Sequence, residues 1–312
     1  MGVLGTGHWA VWCHGTVLTE RSDVELVGYW GRDRSRAEAA AAATSGRAFD
    51  DLDDLLAHVD AVSVALPPDV QATVAARAAR AGRHVLLDKP LALGLPGADE
   101  VASAVRDAGV VTVSFMTLLF QADVRAWLAE AARLADEHGP WEGALVHCSG
   151  SIDLPDSPYA GSVWRRERGG LWDWGPHALS LVKELLPPPE RVVASTGARD
   201  TVTLGLEHTD GAGSVLVLTV TAPPRAVGAR AVVWGPAGRH ELVLPADTLR
   251  ESYGRAVDEF RTCVRTGRRH RLDAAYGRDV VAVLDAAQRH LELPTATRTT
   301  AVVPAVPATV PT

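Results

Sequence analysis

Val3-Leu4-Gly5-Thr6-Gly7-His8-Trp9-Ala10 reads as the end of a strand, a tight turn and the start of a helix that runs to about Leu18. Its glycine spacing is Gly-x-Gly-x-x-Ala. In that pattern the first glycine makes the turn, the second lets the backbone approach a pyrophosphate, and the third small residue packs helix on strand. Amide groups at the helix start then face the anion. Two glycines in a turn are a weak sign in a chain with 28 of them, so the context has to carry the reading. Met1 leaves only a stub of first strand, and a start further upstream is compatible with that stub.

Outward from the turn, strand and helix alternate. Asp23 to Trp30 is rich in Val and Leu, Asp33 to Ala43 is Ala-rich and helical, and Leu52 to Ala57 is a short helix. Ala61 to Leu66 is a fully apolar strand, Val70 to Ala81 a helix stopped at Gly82, Val85 to Leu87 a strand, Gly97 to Ala108 a helix and Val110 to Phe115 a strand. This alternation predicts a doubly wound parallel sheet of the Rossmann type over residues 1–118, an α/β fold. Ligands of such sheets bind beyond the carboxyl ends of the strands. The turns at Gly5 to Gly7, at Leu66-Pro67-Pro68-Asp69 and at Asp88-Lys89-Pro90 are therefore expected to line one crevice.

After Leu118 the rhythm changes. A helix near Asp123 to His138 and a strand near Ala144 to Ile152 precede a long polar loop. Strand-like segments follow at Val192 to Thr196, Val202 to Glu207, Ser214 to Thr221, Ala229 to Trp234 and His240 to Leu244, and two helices at Leu249 to Thr266 and Ala274 to Glu292 close the fold. Residues 119–292 are thus expected to form an α+β domain with an open, mostly antiparallel sheet that serves substrate binding and oligomerisation. Residues 293–312, rich in Pro, Thr, Ala and Val, read as an extended or disordered tail.

Two stretches carry candidate chemistry. The first is Asp88-Lys89-Pro90. The chain has two lysines, Lys89 and Lys183, against 29 arginines. A lysine kept at the end of an apolar strand suits a compact point charge that orients a ligand or handles a proton, which the planar guanidinium fork does not. The second is Gly169-Gly170-Leu171-Trp172-Asp173-Trp174-Gly175-Pro176-His177. Asp173 and His177, four apart, share a helix face. Pro176 belongs in a first turn, which places Asp173 at the positive helix end, and an imidazole can exchange protons near neutrality.

Together these stretches resemble the glucose-fructose oxidoreductase, inositol dehydrogenase and MocA family (Gfo/Idh/MocA). Its amino-terminal glycine motif is similar to Gly5 to Ala10, its Glu-Lys-Pro to Asp88 to Pro90, and its Gly-Gly-x-x-x-Asp-x-Gly-x-His to Gly169 to His177. Tyr253, Phe260, Gly267 and Asp273 resemble its closing helices, so the likeness runs to about Glu292. The resemblance implies a catalytic group of Lys89, Asp173 and His177, with His177 exchanging the hydroxyl proton, Lys89 orienting the reacting oxygen and Asp173 positioning substrate. It implies a dinucleotide held by Gly5, Thr6, Gly7, His8, Trp9, Gly31, Arg32, Leu66, Pro67, Asp88 and Lys89. Trp164, Arg165 and Trp172 lie beside the motif as candidate substrate contacts. Three positions depart from relatives: Gln71 stands where many have His, Ser180 where an Asp commonly follows the motif histidine, and Leu118 or Leu119 where an Arg is frequent.

The expected activity is hydride transfer between nicotinamide and a secondary alcohol or ketone of a sugar, cyclic polyol or specialised metabolite. An imine reductase and a non-catalytic nucleotide or ligand sensor are the competing readings. NADP is favoured over NAD. Gly31 resembles the position of the acid that would bind a ribose hydroxyl, Arg32 follows for a 2'-phosphate, and Asp33 reads as the N-cap of the next helix. A net charge of -7 and the lack of a Lys/Arg block argue against nucleic acid. Cys13, Cys148 and Cys263 have neither disulfide nor zinc spacing, so no metal is expected. No signal segment or apolar run of membrane-spanning length is present, and a cytoplasmic location is expected. By resemblance the chain forms a homodimer or homotetramer.

Overall fold

The computed structural model describes residues 1–243, 249–294 and 300–304. The chain divides into two compact units, Met1–Gln121 with Asp247–Arg278, and Ala122–Ala246 with Asp279–Thr312.

In the first unit the strands are β1 (Gly2–Leu4), β2 (Gly28–Trp30), β3 (Arg47–Phe49), β4 (Ala61–Val64), β5 (His84–Asp88) and β6 (Thr112–Phe115). The helices between them are α1 (Thr16–Thr19), α2 (Arg34–Ala43), α3 (Leu52–Ala57), α4 (Pro68–Arg80) and α5 (Leu95–Ala108). The strands run parallel in the order β3-β2-β1-β4-β5-β6. The order reverses at β1 and β4, the switch point outside which dinucleotides bind. Helices cover both faces of the sheet, so the central strands β1 and β4 are buried throughout, and so is β6 at the edge. One of the six strands lies outside the apolar runs named above. Arg47–Phe49 is an edge strand of three residues with an exposed Arg, too short and polar to show a pattern. Gly28 lets it approach, since a Cβ there would sit 2.1 Å from the Arg47 carbonyl oxygen.

The second unit holds α6 (Ala122–His138), β7 (Gly143–Ser149), α7 (Val163–Asp173), α8 (Gly175–Leu185), β8 (Pro189–Thr196), β9 (Val202–His208), β10 (Gly213–Thr219), β11 (Gly228–Gly235) and β12 (Gly238–Val243). Beyond these come α9 (Leu249–Thr266), α10 (Ala274–Glu292) and β13 (Ala301–Val302). The sheet order is β12-β11-β7-β10-β9-β8-β13, with β7 and β10 parallel and the other pairs antiparallel. Burial alternates along β10 and β11, as expected of a sheet covered on one face. Ala144, Val146, Leu204, Leu216 and Val233 point to the core, while Val193, Val215 and Trp234 are exposed on the opposite side.

The expected continuous second domain, 119–292, differs from this division, because α9 and the start of α10 belong to the first unit. Tyr253 and Phe260 on α9 are fully buried, and the Tyr253 ring meets Phe115 of β6 edge-on at 5.3 Å. Ser114 donates to the Asp273 carbonyl at 2.9 Å, and the Ala274 amide donates to Thr112 Oγ1 at 2.9 Å. These contacts tie the segment to the edge of the parallel sheet. Within the tail, Ala301–Val302 pairs with β8; residues 295–299 and 305–312 lie outside the described residues, as does Leu244 of the expected strand His240 to Leu244.

The expected polar loop before the histidine motif contains a helix instead. Val163–Asp173 is helical but broken at Gly169, whose φ of 57° and ψ of -159° interrupt it. The run Arg165-Arg166-Glu167-Arg168-Gly169-Gly170 is charged and glycine-rich, which masks its helical register. Asp173 accordingly closes α7 and precedes the N-cap Trp174 of α8, rather than lying in the first turn of α8, where Pro176 does sit.

The glycine break is held by Asp200. Its carboxylate accepts from the amides of Gly170 at 2.9 Å, Val220 at 2.9 Å and Thr221 at 3.1 Å, and from the hydroxyls of Thr219 and Thr221. A Cβ on Gly170 would be 2.6 Å from the Thr219 nitrogen, so the helix turn lies directly against β10. Burial pushes the Asp200 pKa up, but the hydrogen bonds from Thr219, Thr221, Val220 and Gly170 outweigh it and hold the carboxyl below its ordinary value. A carboxyl depressed in the folded state adds stability above its unfolded pKa of about 3.9 and loses it as pH falls through the folded value. Asp200→Asn is therefore expected to cost about 2 kcal/mol at neutral pH, because an amide leaves part of this donor set unanswered. It should also flatten the acid limb of the stability curve below about pH 4. Denaturant melts from pH 3 to pH 7 read both effects; an unchanged acid limb contradicts the assignment.

Candidate functional site

Gly5 has φ 133°, and a Cβ there would lie 2.4 Å from the Ala65 carbonyl oxygen and 3.3 Å from the Ala10 methyl. No other residue fits. The Gly5 amide donates to Trp30 at 2.9 Å and the Ala65 amide to Leu4 at 2.8 Å, which sets the turn between the ends of β2 and β4. Gly7 is exposed, with nothing within 4 Å of a notional Cβ. The cradle is thus closed beneath by Gly5 and Ala10 and open above at Gly7, and these residues fit a pyrophosphate group. Helix start differs from expectation: Ala10–Gly15 is a π-helical turn before α1. His8 stacks on Trp12 at 5.7 Å, beside the mouth.

Leu66 and Pro67 follow β4, with Pro67 as N-cap of α4, and Asp88-Lys89 follow β5. Because β1, β4 and β5 are neighbours in a parallel sheet, their carboxyl ends share one edge. The three expected turns are brought together there, as the strand order requires. Gly31 and Arg32 follow β2 on the far side of β1. Asp33 is the N-cap of α2, accepting from Ser35 Oγ at 2.7 Å and the Arg36 amide at 3.3 Å, as the sequence suggested. Its carboxylate is engaged by its own helix, while Arg32 is exposed.

The Lys89–Pro90 peptide is cis, and two side chains shape the turn around it. The Asp88 carboxylate accepts from the Lys89 amide at 2.8 Å. Gln71 Nε2 donates to the Asp88 carbonyl at 2.7 Å and the Pro90 carbonyl at 2.8 Å. Both partners can only accept, so the orientation of the amide follows from chemistry. Gln71, 1% exposed, is thus a buried clamp on the lysine turn. Nothing in the sequence distinguished Gln71 as such a clamp. Ser180 donates to the His177 carbonyl at 2.7 Å, and Leu118 and Leu119 are buried in a 3-10 turn.

In the second unit, Asp173 and His177 lie one turn apart across the α7–α8 junction. Asp173 accepts from Arg165 Nε at 3.2 Å, both side chains being more than four-fifths buried. The Arg165 guanidinium lies over the rings of Tyr159 at 4.1 Å and Trp164 at 4.4 Å, so aromatic faces and carboxylate fix it together. His177 is 9% exposed and meets Trp174 edge-on at 5.5 Å. Trp172, a candidate substrate contact, is a core residue: it is 1% exposed and its Nε1 donates to Gln288 at 3.2 Å. Asp200, which secures the turn beneath these residues, reads in the sequence as an ordinary acid between strands. No cluster of three or more His, Cys, Asp or Glu suited to a metal occurs among the described residues.

Residues 1–115 match the family described as "Oxidoreductase family, NAD-binding Rossmann fold". A D-xylose 1-dehydrogenase (NADP(+)) of Haloferax volcanii is 28% identical, the match covering 91% of this chain and 95% of the relative. A UDP-N-acetylglucosamine 3-dehydrogenase of Acidithiobacillus ferrooxidans is 36% identical over 35% of this chain and 34% of its own length. With two further curated relatives the match spans 62% and 28% of the relative. Among solved structures, GenD2 from gentamicin A biosynthesis, in complex with NAD, superposes with a TM-score of 0.83 at 24% identity, covering 97% of this chain and 96% of the other. That likeness extends the shared fold over both units. Over residues 1–115 the chain is thus similar to the Rossmann domain of the Gfo/Idh/MocA oxidoreductase family.

Proposed function

We propose that the protein is an NAD(P)-dependent oxidoreductase acting on a secondary alcohol or ketone of a sugar, cyclic polyol or specialised metabolite. The observation that carries this reading is the shared strand-end edge of the first unit, where a pyrophosphate-sized cradle and the clamped Lys89 turn occur on neighbouring strands. When bound, nicotinamide supplies or accepts the hydride. Lys89, a compact cation on a fixed turn, orients the reacting oxygen and stabilises its negative charge. His177 takes the proton from the hydroxyl or returns it to the oxygen. Asp173, paired with Arg165, offers an acceptor beside a donor, the combination that grips a polyol hydroxyl.

NADP is the proposed cofactor. Gly31 brings no side chain to the end of β2, Arg32 is exposed beside it, and Asp33 is committed to capping α2. Relatives include both an enzyme named for NADP(+) and a structure holding NAD, so this choice rests on the residues of β2. A homo-oligomer formed through the exposed face bearing Val193, Val215 and Trp234 is proposed as well. A cytoplasmic location suits the three free cysteines; among the described residues no helix is long and apolar enough to cross a membrane.

Turnover is to be read from nicotinamide absorbance against a panel of ketones, keto-sugars and imines. His177→Ala is expected to lose about 100- to 10,000-fold in turnover while NADPH binding stays near normal. Lys89→Arg should fail almost as fully as Lys89→Ala, since the guanidinium is larger and more basic than the ammonium. Activity above half of wild type in His177→Ala, or normal kinetics in Lys89→Arg, overturns the respective role.

Fluorescence titration tests the cofactor. Wild type should bind NADPH more tightly than NADH, and Gly31→Asp with Arg32→Ala should reverse the order. The new Cβ would press on the Thr6 side chain at 2.9 Å, a flexible neighbour that can turn aside. Tighter NADH binding by wild type, or an unchanged order in the double variant, rejects the NADP assignment.

A further inference from the structure

Beneath the lysine turn lies a line of buried polar groups that the proposed mechanism does not use. His14 lies in the last part of the π-helical turn, Ser63 is on β4 and Tyr253 on α9, and all three are fully buried. Tyr253 OH is 2.7 Å from Ser63 Oγ, Ser63 Oγ is 2.9 Å from His14 Nδ1, and the two rings stack at 4.2 Å. His14 Nε2 makes no hydrogen bond and lies 4.0 Å from Asp88 Oδ2. The other Asp88 oxygen holds the Lys89 amide.

Chemistry fixes the direction of this line. Burial keeps the phenol of Tyr253 protonated by pushing its pKa well up, and burial holds His14 neutral, its pKa pushed down to about 3. A neutral imidazole has one donor and one acceptor. If Nδ1 carried the proton, Nε2 would turn a lone pair toward the carboxylate. With the proton on Nε2, Tyr253 donates to Ser63, Ser63 donates to Nδ1, and the Nε2–H dipole faces the Asp88 carboxylate in a low-dielectric interior, where such orientation counts. Conduction of protons is excluded at the blind end, because a buried tyrosinate would result.

We infer that His14 is a positioning residue, which with Ser63 and Tyr253 fixes the Asp88 carboxylate and through it the turn that presents Lys89. Its catalytic meaning rests on the role proposed for Lys89, but its physical content does not. With only two lysines, reductive methylation with 13C-formaldehyde gives one lysine signal each for Lys89 and Lys183, besides that of the amino terminus. Lys183, on α8 and 3.4 Å from Asp279, serves as the internal reference.

His14→Ala should move the Lys89 signal and leave Lys183 in place, and His14→Gln, which keeps one donor and one acceptor, should return it toward wild type. Tyr253→Phe, which keeps the ring but removes the first donor, should move Lys89 in the same sense by less, and it decides the matter if His14→Ala does not fold. An unmoved Lys89 signal in the folded variants, equal movement of both lysines, or no recovery in His14→Gln overturns the inference. The NMR readout needs no substrate. A failure of the oxidoreductase reading would show as absent turnover with the Lys89 effects intact.

Discussion

At Gly5 the chain passes so close to the Ala65 carbonyl that no side chain fits, and much of the first unit follows from that approach. It sets the end of β1 against the end of β4, the point where the strand order reverses. Amides of Gly5 and Ala65 are spent on neighbouring strands, which leaves the outer part of the turn, at Gly7, open. The same packing carries the π-helical turn inward, so that His14 in its last part lies 2.9 Å from Ser63 on β4. A single steric constraint thus shapes the anion cradle and the polar line behind Lys89.

Lys89 is held by groups that differ in how fully they are satisfied. Gln71 grips the backbone on both sides of it with two short hydrogen bonds. His14 faces the Asp88 carboxylate across 4.0 Å, a distance at which orientation is electrostatic rather than hydrogen-bonded. Asp200 in the second unit shows the opposite limit, since its carboxylate answers three amides and two hydroxyls. Such a site is stiff, which is what a glycine break needs if Asp173 and His177 are to keep their geometry.

Legibility in the sequence followed pattern length. The helices Leu249–Thr266 and Ala274–Glu292 carried several turns of amphipathic repeat, and their bounds were readable to the residue. Arg47–Phe49 offered three residues and one buried side chain. Val163–Asp173 was hidden by its charges and its glycines. At the site, the glycine turn, the lysine turn and the Asp33 cap were legible because each depends on local backbone chemistry. Gln71, Asp200 and His14 were not, because their roles come from partners 17 or more residues away. The assignment of α9 to the first unit likewise depends on long-range packing of Tyr253 and Phe260, which periodicity does not encode.

The central claim is hydride transfer, and isotope transfer tests it most directly. Purified protein with NADPH deuterated on either face of C4 is incubated with ketones, keto-sugars and imines, and the products are weighed by mass spectrometry. The account predicts deuterium on the carbinol carbon of at least one ketone or keto-sugar product, from one face of C4 only. Tight NADPH binding with no label in any product would contradict it and leave a nucleotide-binding protein that performs no reduction.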